Sequence, residues 1–228
     1  MRDAAKAGAH VVVLPEMATT GFTMDSSRAV PLDAPDVREL QRIARETETW
    51  LIAGVALQPE EAEARAVNAA LAIDPAGTII AVHRKQRLFA YADEHRHYMP
   101  GTVPTTVTIG SVRVGLFVCY ELRFPEVFAP LAADVDAMVV IANWPAARLE
   151  HWDVLLRARA IENQCYMIGV NRLGVANGLE YTGGSAAFDP WGERMAGRLA
   201  GGTRIVTVDV QRVAGVRTDY PFLKDRGI

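Results

Sequence analysis

Residues 111–126, Ser-Val-Arg-Val-Gly-Leu-Phe-Val-Cys-Tyr-Glu-Leu-Arg-Phe-Pro-Glu, carry an apolar run into Cys119 and then into a charged turn. A buried strand that ends in a cysteine, followed by a turn and a helix start, places one thiol at the edge of a core. The next backbone N–H groups and the positive end of the helix then lie close to the sulfur. Taken alone, the stretch allows two interpretations of Cys119, a buried core residue or a nucleophile.

The composition and charge favour a protein that acts on small molecules. With 228 residues, half of them hydrophobic, the chain can bury one sizeable core, and we predict a single domain over residues 1–228. The net charge is −3 and the basic residues are scattered, so the sequence indicates no surface for nucleic acid or for an anionic membrane. We expect a small-molecule substrate and association with further copies of the chain, as a homodimer or a higher homo-oligomer.

The cysteine count points to a reducing compartment. A chain of this length whose two cysteines are Cys119 and Cys165 is typical of a reduced, cytoplasmic protein. The sequence contains neither the apolar core of a signal peptide nor an apolar run of membrane-spanning length.

The hydrophobic pattern alternates between strands and helices, which indicates a layered α/β fold with mixed sheets. The predicted strands cover residues 9–14, 50–57, 66–73, 79–83, 105–109, 111–118, 137–142, 165–170, 183–189 and 204–210. The predicted helices cover residues 1–8, 36–49, 124–133 and 149–164. A charged, hairpin-like excursion is expected at residues 60–65 and a polar loop at residues 91–104.

Three ionisable residues, Glu16, Lys85 and Cys119, each follow the C-terminal end of a predicted strand. The strands of one sheet system can bring such ends together, and α/β proteins usually place their chemistry there. Acyl transfer from an amide needs these three chemical types: a thiol as nucleophile, a carboxylate that takes and returns a proton, and an ammonium that stabilises the oxyanion. A lysine near the sulfur would also favour the thiolate. Taken singly, each residue also has a structural interpretation: a solvated loop carboxylate for Glu16, a surface lysine for Lys85 and a core thiol for Cys119.

A metal site is not indicated. His95 and His97 lie close together in the polar loop, but no third ligand stands at a recognisable spacing from them. We therefore predict no metal.

Several blocks of the sequence strongly resemble the signature motifs of the nitrilase superfamily, the carbon–nitrogen hydrolases. The three principal blocks are Leu14-Pro-Glu16, His83-Arg-Lys85 with Leu88-Phe89, and Cys119-Tyr-Glu-Leu-Arg-Phe-Pro125. The resemblance extends through Asn143-Trp-Pro145, residues 157–164, Gly184-Ser185 and Asp189-Pro-Trp-Gly192. It implies a four-layer α-β-β-α sandwich that dimerises through helices, with no metal or organic cofactor.

The resemblance also implies roles for five residues. Glu16 is expected to be the general base, Lys85 the oxyanion-stabilising lysine and Cys119 the nucleophile. Glu94 falls where the family carries a second active-site glutamate, which would orient the lysine or the attacking water. The backbone N–H of Tyr120 is expected to complete the oxyanion hole with Lys85.

Within the superfamily the sequence resembles the amidase branch, because the segment after Cys119 differs from those of nitrile and carbamoyl-amino-acid hydrolases. The blocks at residues 143–145 and 158–164 look most like bacterial omega-amidases, which act on monoamides of short dicarboxylates such as 2-oxoglutaramate. Such a substrate needs a cation for its far carboxylate. Arg123 and Arg148 are the two candidates, and either one could instead be a surface or structural arginine.

Trp144 and Phe124 are candidates for an apolar wall of the site, with a core role as the alternative for both. Two further functions stay open: an amidase for deaminated glutathione or another amide, and a catalytically silent member that binds or assembles.

The start of the chain departs from the family pattern. The family opens with a strand and most of a helix before Ala-Gly-Ala-His-Val-Val-Val, so the N-terminal strand and about two helical turns are expected to be missing here. Such a loss would expose strand edges and apolar surface, which predicts association or reduced stability. Extending the N-terminus by the missing strand is then expected to raise the melting temperature.

Overall fold

Two β-sheets form the centre of the structure, a computed structural model that describes residues 1–59, 65–200 and 203–227. The predicted excursion at residues 60–65 lies outside the described residues except for its last position. Helices lie on the outer face of each sheet. Among the described helices, none is long and apolar enough to cross a membrane.

The first sheet has the order β1-β2-β3-β4. Its strands are β1 (Val11–Val13), β2 (Trp50–Leu57), β3 (Val67–Ile73) and β4 (Ile79–Arg84). β1 runs parallel to β2, with Val12 opposite Leu51, and β2, β3 and β4 follow one another in antiparallel pairs. The predicted strand pattern over this region is confirmed, because each run of apolar residues forms one strand of the meander.

The second sheet has the order β11-β8-β7-β6-β5. Its strands are β5 (Thr105–Ile109), β6 (Val112–Val118), β7 (Ala137–Ala142), β8 (Tyr166–Asn171) and β11 (Ala186–Phe188). β6, β7 and β8 are parallel, and β5 and β11 pair antiparallel at the two edges. Nearly continuous apolar runs such as β7 fit the middle of this sheet, since a parallel strand is buried on both faces.

Three apolar clusters show the layering of the fold. The first joins α1 (Arg2–Lys6) and α2 (Pro35–Thr47) to the outer face of the first sheet, and the second joins α4 (Pro125–Phe128) and α5 (Leu149–Asn163) to the outer face of the second. The third lies between the sheets and includes Ile52, Leu116 and Ile141. Burying a side chain of this size contributes about 1.5–3 kcal/mol. The predicted α-β-β-α sandwich is therefore confirmed.

Some predicted elements differ from the structure. The expected helix at 124–133 is short because Pro130, which has no N–H, changes the segment after Phe128 to a 3₁₀ turn. The expected strand at 183–189 begins only at Ala186, since Gly183 and Gly184 adopt φ values of +76° and +77°.

The structure also contains elements that the hydrophobic pattern did not predict, most of them in the C-terminal part of the chain. These are α3 (Glu94–His97), the hairpin of β9 (Leu173–Ala176) and β10 (Leu179–Thr182), the pair β12 (Arg198–Ala200) and β13 (Thr203–Ile205), and α6 (Val210–Asp219). The expected strand at 204–210 corresponds to the end of β13 and the start of α6. Asp209 caps α6 by accepting a hydrogen bond from the backbone N–H of Gln211.

Candidate active site

The structure brings together the three ionisable residues that follow strand ends. Glu16 lies three residues after β1, Lys85 directly after β4 and Cys119 directly after β6. Lys85 Nζ donates to Glu16 Oε1 at 2.9 Å, and Cys119 forms a hydrogen bond with Glu16. The site therefore lies where the C-terminal ends of strands from both sheets meet.

The loop that carries Glu16 lies directly on β2. Pro15 follows the end of β1, and the backbone N–H groups of Gly54 and Ala18 bond to the carbonyls of Pro15 and Gly54, respectively. A Cβ atom on Gly54 would lie 2.4 Å from the Met17 nitrogen and 2.5 Å from the Glu16 Cα. Only glycine at this position of β2 lets the loop approach closely enough to hold the carboxylate in place.

Lys85 is the centre of a fully buried group of charges. Its Nζ lies 2.9 Å from Glu16 Oε1, and 3.1 and 2.9 Å from the two carboxylate oxygens of Glu94. Asn68 on β3 donates its Nδ2 hydrogens to both glutamates, at 2.7 Å to Glu16 and 2.8 Å to Glu94. We call Glu16, Asn68, Lys85 and Glu94 the buried charge cluster, and all four side chains are at most 1% exposed.

Main-chain bonds fix the members of this cluster. Lys85 extends the pairing of β4 with β3 by one residue, because its backbone N–H donates to the carbonyl of Asn68 at 2.8 Å. Glu94 is the first residue of α3 and accepts a 2.6 Å bond from the backbone N–H of Phe89. The second carboxylate oxygen of Glu16 accepts a 2.9 Å bond from the backbone N–H of Asn143, directly after β7.

The surroundings set the protonation states of Glu16 and Lys85. Burial alone would raise the pKa of Glu16, but the charge and hydrogen bond of Lys85 and the bond from Asn68 hold that pKa below its ordinary value. Burial would lower the pKa of Lys85, but the charges of Glu16 and Glu94 outweigh it and raise that pKa. An ionised carboxylate and a protonated ammonium therefore coexist at neutral pH.

Cys119 is a protonated thiol in a strained backbone conformation. Burial and the negative charge of Glu16 raise its pKa well above the ordinary value, whereas Lys85 lowers it by a smaller amount. The expectation that the lysine favours the thiolate holds in direction only, so the thiol needs a base. Cys119 has a φ of +49°, a left-handed backbone conformation that residues other than glycine rarely adopt. The other cysteine, Cys165, is buried in the core, as expected.

A second buried pair connects the strand ends that carry Lys85 and Cys119. Glu121 accepts bonds from the backbone N–H of Gln86 at 2.7 Å and of Val118 at 2.5 Å. His83 Nε2 lies 3.0 and 3.2 Å from the two carboxylate oxygens of Glu121, and both side chains are fully buried. Because Gln86 follows the lysine and Val118 precedes the cysteine, Glu121 ties the two functional segments together.

Aromatic side chains surround the cysteine turn. The ring of Tyr120 contacts those of Phe89 and Phe124, with centroids 4.9 and 5.0 Å apart. Trp144 is 3% exposed, belongs to the core cluster of the second sheet and donates its indole N–H to the carbonyl of Arg148. Of the two candidates for an apolar wall, Phe124 is thus partly exposed beside Tyr120, and Trp144 is a core residue.

Three half-buried arginines contact residues that border the buried charge cluster. Arg123 stacks over the ring of Trp144 at 4.8 Å, and Arg148 over that of Phe89 at 5.7 Å. Arg172, which the sequence did not single out, stacks over Tyr181 at 4.9 Å and has Nη1 3.4 Å from Asn143 Oδ1.

These three residues, Arg123, Arg148 and Arg172, are referred to below as the three arginines. Among the residues that the structure describes, none of them is within ion-pair distance of a carboxylate. A guanidinium without an acidic partner is free to bind an anionic group from a ligand.

A cavity of about 1640 Å³ runs along β1 and between the sheets. It reaches the site at Glu16, Asn143 and Arg172, whereas Lys85 and Cys119 do not line it. In the described ranges no cluster of three or more His, Cys, Asp or Glu side chains is arranged to hold a metal ion.

Besides Arg172, the site contains Asn68 and Glu121, which the sequence did not identify as site residues, for different reasons. Asn68 is one polar residue within an apolar strand, and its burial was visible in the pattern but its partners were not. Glu121 belongs to the block around Cys119, and only the fold reveals its contact with His83.

Comparison with known proteins identifies the family to which the chain belongs. Residues 1–218 match the family model described as carbon-nitrogen hydrolase. Omega-amidase YafV of Escherichia coli strain K12 is 40% identical over 190 residues, which cover 83% of this chain and 72% of that protein. The 2-oxoglutaramate amidase of Paenarthrobacter nicotinovorans is 33% identical over 230 residues, covering 96% and 78% of the two chains.

A solved structure agrees over a similar length. XC1258 from Xanthomonas campestris, described as a CN-hydrolase superfamily protein with an arsenic adduct in its active site, superposes with a TM-score of 0.86 at 32% identity. The match covers 97% of this chain and 87% of that one.

Proposed function

Because the chain belongs to the carbon–nitrogen hydrolase family, we propose that it is a cofactor-independent thiol amidase that hydrolyses a small carboxamide to a carboxylate and ammonia. Cys119 is the nucleophile, Glu16 the general base and Lys85 the stabiliser of the oxyanion. The observation that carries the proposal is the hydrogen-bonded contact of an ionised carboxylate with both a protonated thiol and a buried ammonium.

The first half of the reaction forms a thioester. Sγ of Cys119 attacks the amide carbon while its proton passes to Glu16, and the carbonyl electrons form an oxyanion. The charge of Lys85 and the backbone N–H of Tyr120 stabilise that oxyanion. The C–N bond then breaks, and the proton held by Glu16 passes to the leaving nitrogen, which departs as ammonia.

The second half repeats these steps with water. Glu16 takes a proton from a water molecule that attacks the thioester carbon, the carbon–sulfur bond breaks, and the Cys119 sulfur recovers that proton. The product leaves as a carboxylic acid, which ionises to the carboxylate in water. Glu94 acts as a positioning residue, because it holds the Lys85 ammonium through two bonds and can orient the water. The sequence of steps implies ping-pong kinetics with an acyl-enzyme intermediate.

The proposed substrate is a monoamide of a short dicarboxylate, such as 2-oxoglutaramate. Relatives named omega-amidase and 2-oxoglutaramate amidase, at 40% and 33% identity, support this assignment. The unpaired guanidinium groups of the three arginines supply cations suited to the far carboxylate. Arg123 and Arg148 were the candidates in the sequence, and Arg172 joins them because it also contacts Asn143.

The decisive experiment measures ammonia release from 2-oxoglutaramate and succinamate by the wild type, Cys119→Ala and Cys165→Ala. We expect release by the wild type, loss of at least about 10³-fold in Cys119→Ala, and near-normal activity in Cys165→Ala, whose thiol lies in the core. Mass spectrometry of quenched reactions should detect an acyl group on Cys119. Undiminished release by Cys119→Ala would refute the assignment.

Two alternative functions are tested by the same protein. A substrate panel that includes deaminated glutathione and other amides distinguishes an amidase of different specificity. A catalytically silent binding or assembly protein is indicated if iodoacetamide modifies Cys119 no faster than Cys165.

Association into a homodimer or larger homo-oligomer through helices is part of the proposal, and cytoplasmic location stays a prediction. Val154 and Ile161 on α5 are 60% and 49% exposed, which supports an apolar contact surface on this helix. Light scattering after gel filtration should give a multiple of 24.9 kDa, and Val154→Glu should lower it.

A further inference from the structure

We propose that Asn68 is a positioning residue for the amidase reaction: its Nδ2 holds Glu16 and Glu94 in fixed positions on the Lys85 ammonium, so that Glu16 stays aligned with the Cys119 thiol. This inference rests on the proposed function. It assigns a role to a residue that the chemical steps above do not use.

The donor end of the Asn68 amide bridges the two carboxylates of the cluster. Asn68 Nδ2 lies 2.7 Å from Glu16 Oε1 and 2.8 Å from Glu94 Oε1, the same two oxygens that receive Lys85 Nζ. Two carboxylates and one ammonium give the buried charge cluster a net charge of −1 if all three are ionised. Asn68 is the neutral donor that both carboxylates share, and its two hydrogens reduce the repulsion between them without adding charge.

The acceptor end of the same amide is unsatisfied. Asn68 is fully buried, and its Oδ1 has no hydrogen-bond partner among the described residues. A buried acceptor left unpaired destabilises the fold. In contrast, the buried amide of Asn171 has both ends paired, since it accepts from the backbone of Trp144 and donates to the carbonyl of Gly183. A residue that only stabilised the fold would be expected to have both ends of its amide paired, as Asn171 does. In Asn68 the donor end is paired with both glutamates and the acceptor end is not, so we assign its role to the donor end.

The backbone of Asn68 has a structural role that is separate from that of its side chain. The carbonyl of Asn68 accepts the backbone N–H of Lys85 at 2.8 Å, which extends the β3–β4 pairing by one residue. Substitution of the side chain leaves that bond in place. The contribution of the amide can therefore be measured without removing the strand that positions the lysine.

The contacts also predict which property changes. The hydrogen bond from Asn68 is one of the interactions that lower the pKa of Glu16. When it is removed, the carboxylate is expected to protonate at a higher pH and to lose its alignment with the thiol. Substrate binding should change little, because neither effect involves the three arginines.

The test compares Asn68→Ala and Asn68→Ser with the wild type and with Asn163→Ala. Asn163 is a matched control, since its amide is also fully buried but bonds to Arg159 and Arg226 on the other side of the second sheet. For Asn68→Ala we expect kcat to fall about 10- to 100-fold, KM to stay within about threefold, and the acid limb of the kcat profile to move up by about one pH unit. Asn68→Ser, which keeps one donor, should lie between Asn68→Ala and the wild type, and Asn163→Ala should match the wild-type profile.

A second measurement needs no substrate. The rate of Cys119 alkylation by iodoacetamide, followed against pH in variants whose circular dichroism matches the wild type, should show the same upward shift in its acid limb. An unmoved acid limb in both folded variants, with kcat within twofold of the wild type, would overturn the inference. If the wild type releases no ammonia from any amide, the proposed function fails, and the alkylation profile still decides whether Asn68 controls the thiol–carboxylate pair.

Discussion

The buried charge cluster and the three arginines are two charged regions of one site that are held in opposite ways. In the cluster, Lys85 has a carboxylate on two sides and no exposure to solvent. Arg148 and its two counterparts are half-buried, rest on aromatic rings and pair with no described carboxylate. The inner region is thus preorganised before a substrate arrives, whereas the outer cations gain an ionic partner only from the ligand.

The contrast indicates a division of roles: the buried charge cluster carries out bond breaking, and the three arginines select the substrate. Groups that carry the reaction must already stand in position, because reorganising them in the transition state would slow the reaction. Groups that select a substrate bind it more tightly if they have no ionic partner beforehand, since a ligand carboxylate then displaces only water.

The largest effect is expected from Lys85→Met, compared with Arg148→Met. Removing the ammonium leaves Glu16 and Glu94 as two buried carboxylates without a counterion, which should lower the free energy of unfolding by about 3–5 kcal/mol and kcat/KM by at least about 10³-fold. Arg148→Met should leave the free energy of unfolding within about 1 kcal/mol of the wild type. Urea titrations and ammonia assays provide both values, and equal losses of stability in the two variants would contradict the division.

A smaller loss is expected from Glu121→Gln. The amide keeps the size of the carboxylate but cannot accept from Gln86, Val118 and His83 at once, so the ends of β4 and β6 should loosen. We expect a loss of about 1–3 kcal/mol in stability and about 10- to 100-fold in kcat.

The control for this substitution is Glu126→Gln. Glu126 is exposed and, among the residues that the structure describes, pairs only with Arg87, at 3.5 Å, so the stability of this variant should differ from the wild type by less than about 0.5 kcal/mol. A wild-type kcat in Glu121→Gln would show that the buried pair with His83 does not position the reactive groups.

Replacement of the three arginines by alanine, one at a time, should change substrate affinity and leave the chemical step nearly intact. A lost carboxylate contact is worth about 1.5–3 kcal/mol, so KM for 2-oxoglutaramate should rise about 10- to 100-fold in at least one variant. An uncharged amide such as butyramide should be hydrolysed equally well by wild type and variants. A uniform fall in kcat without a change in KM would assign these residues to the reaction itself.

The smallest effect is expected in the acid dependence of stability. The pKa of Glu16 lies below its ordinary value of 4.5 in the folded protein, so the carboxylate stabilises the fold above about pH 4.5. That contribution is lost as the pH falls through the folded-state pKa. Urea titrations between pH 3 and pH 7 should therefore decline less steeply in Glu16→Gln than in the wild type. Identical slopes would indicate that Glu16 is not held ionised.

The sequence was sufficient for the layered fold and for the residues that follow strand ends, because apolar periodicity and chain order determine both. The hairpin of β9 and β10 could also have been predicted from the sequence. Asn177-Gly178, which joins the two strands, is a dipeptide that two-residue hairpin turns strongly favour. α6 escaped because its mixed composition gives little helical periodicity, and the Asp209 cap was the available signal.

The supporting residues of the site could not be identified from spacing. Asn68 and Glu94 are 26 positions apart, and Glu121 lies 38 positions from His83. Such pairs form only when segments that are distant in the chain, here β3 with α3 and β4 with the turn after β6, meet in the fold, and no local pattern encodes that meeting. Arg172 likewise depends on the fold, since its neighbour Asn143 is 29 residues away.

The left-handed backbone of Cys119 has a practical consequence for trapping a bound substrate. Alanine at this position would retain the unfavourable conformation, whose cost for a residue with a Cβ is about 1–2 kcal/mol. Glycine adopts it freely, so Cys119→Gly should melt above Cys119→Ala, the reverse of their usual order. An inactive protein intended for crystallisation with an intact amide is therefore better made with the smallest residue, and the native sulfur occupies a position that stability alone would assign to glycine.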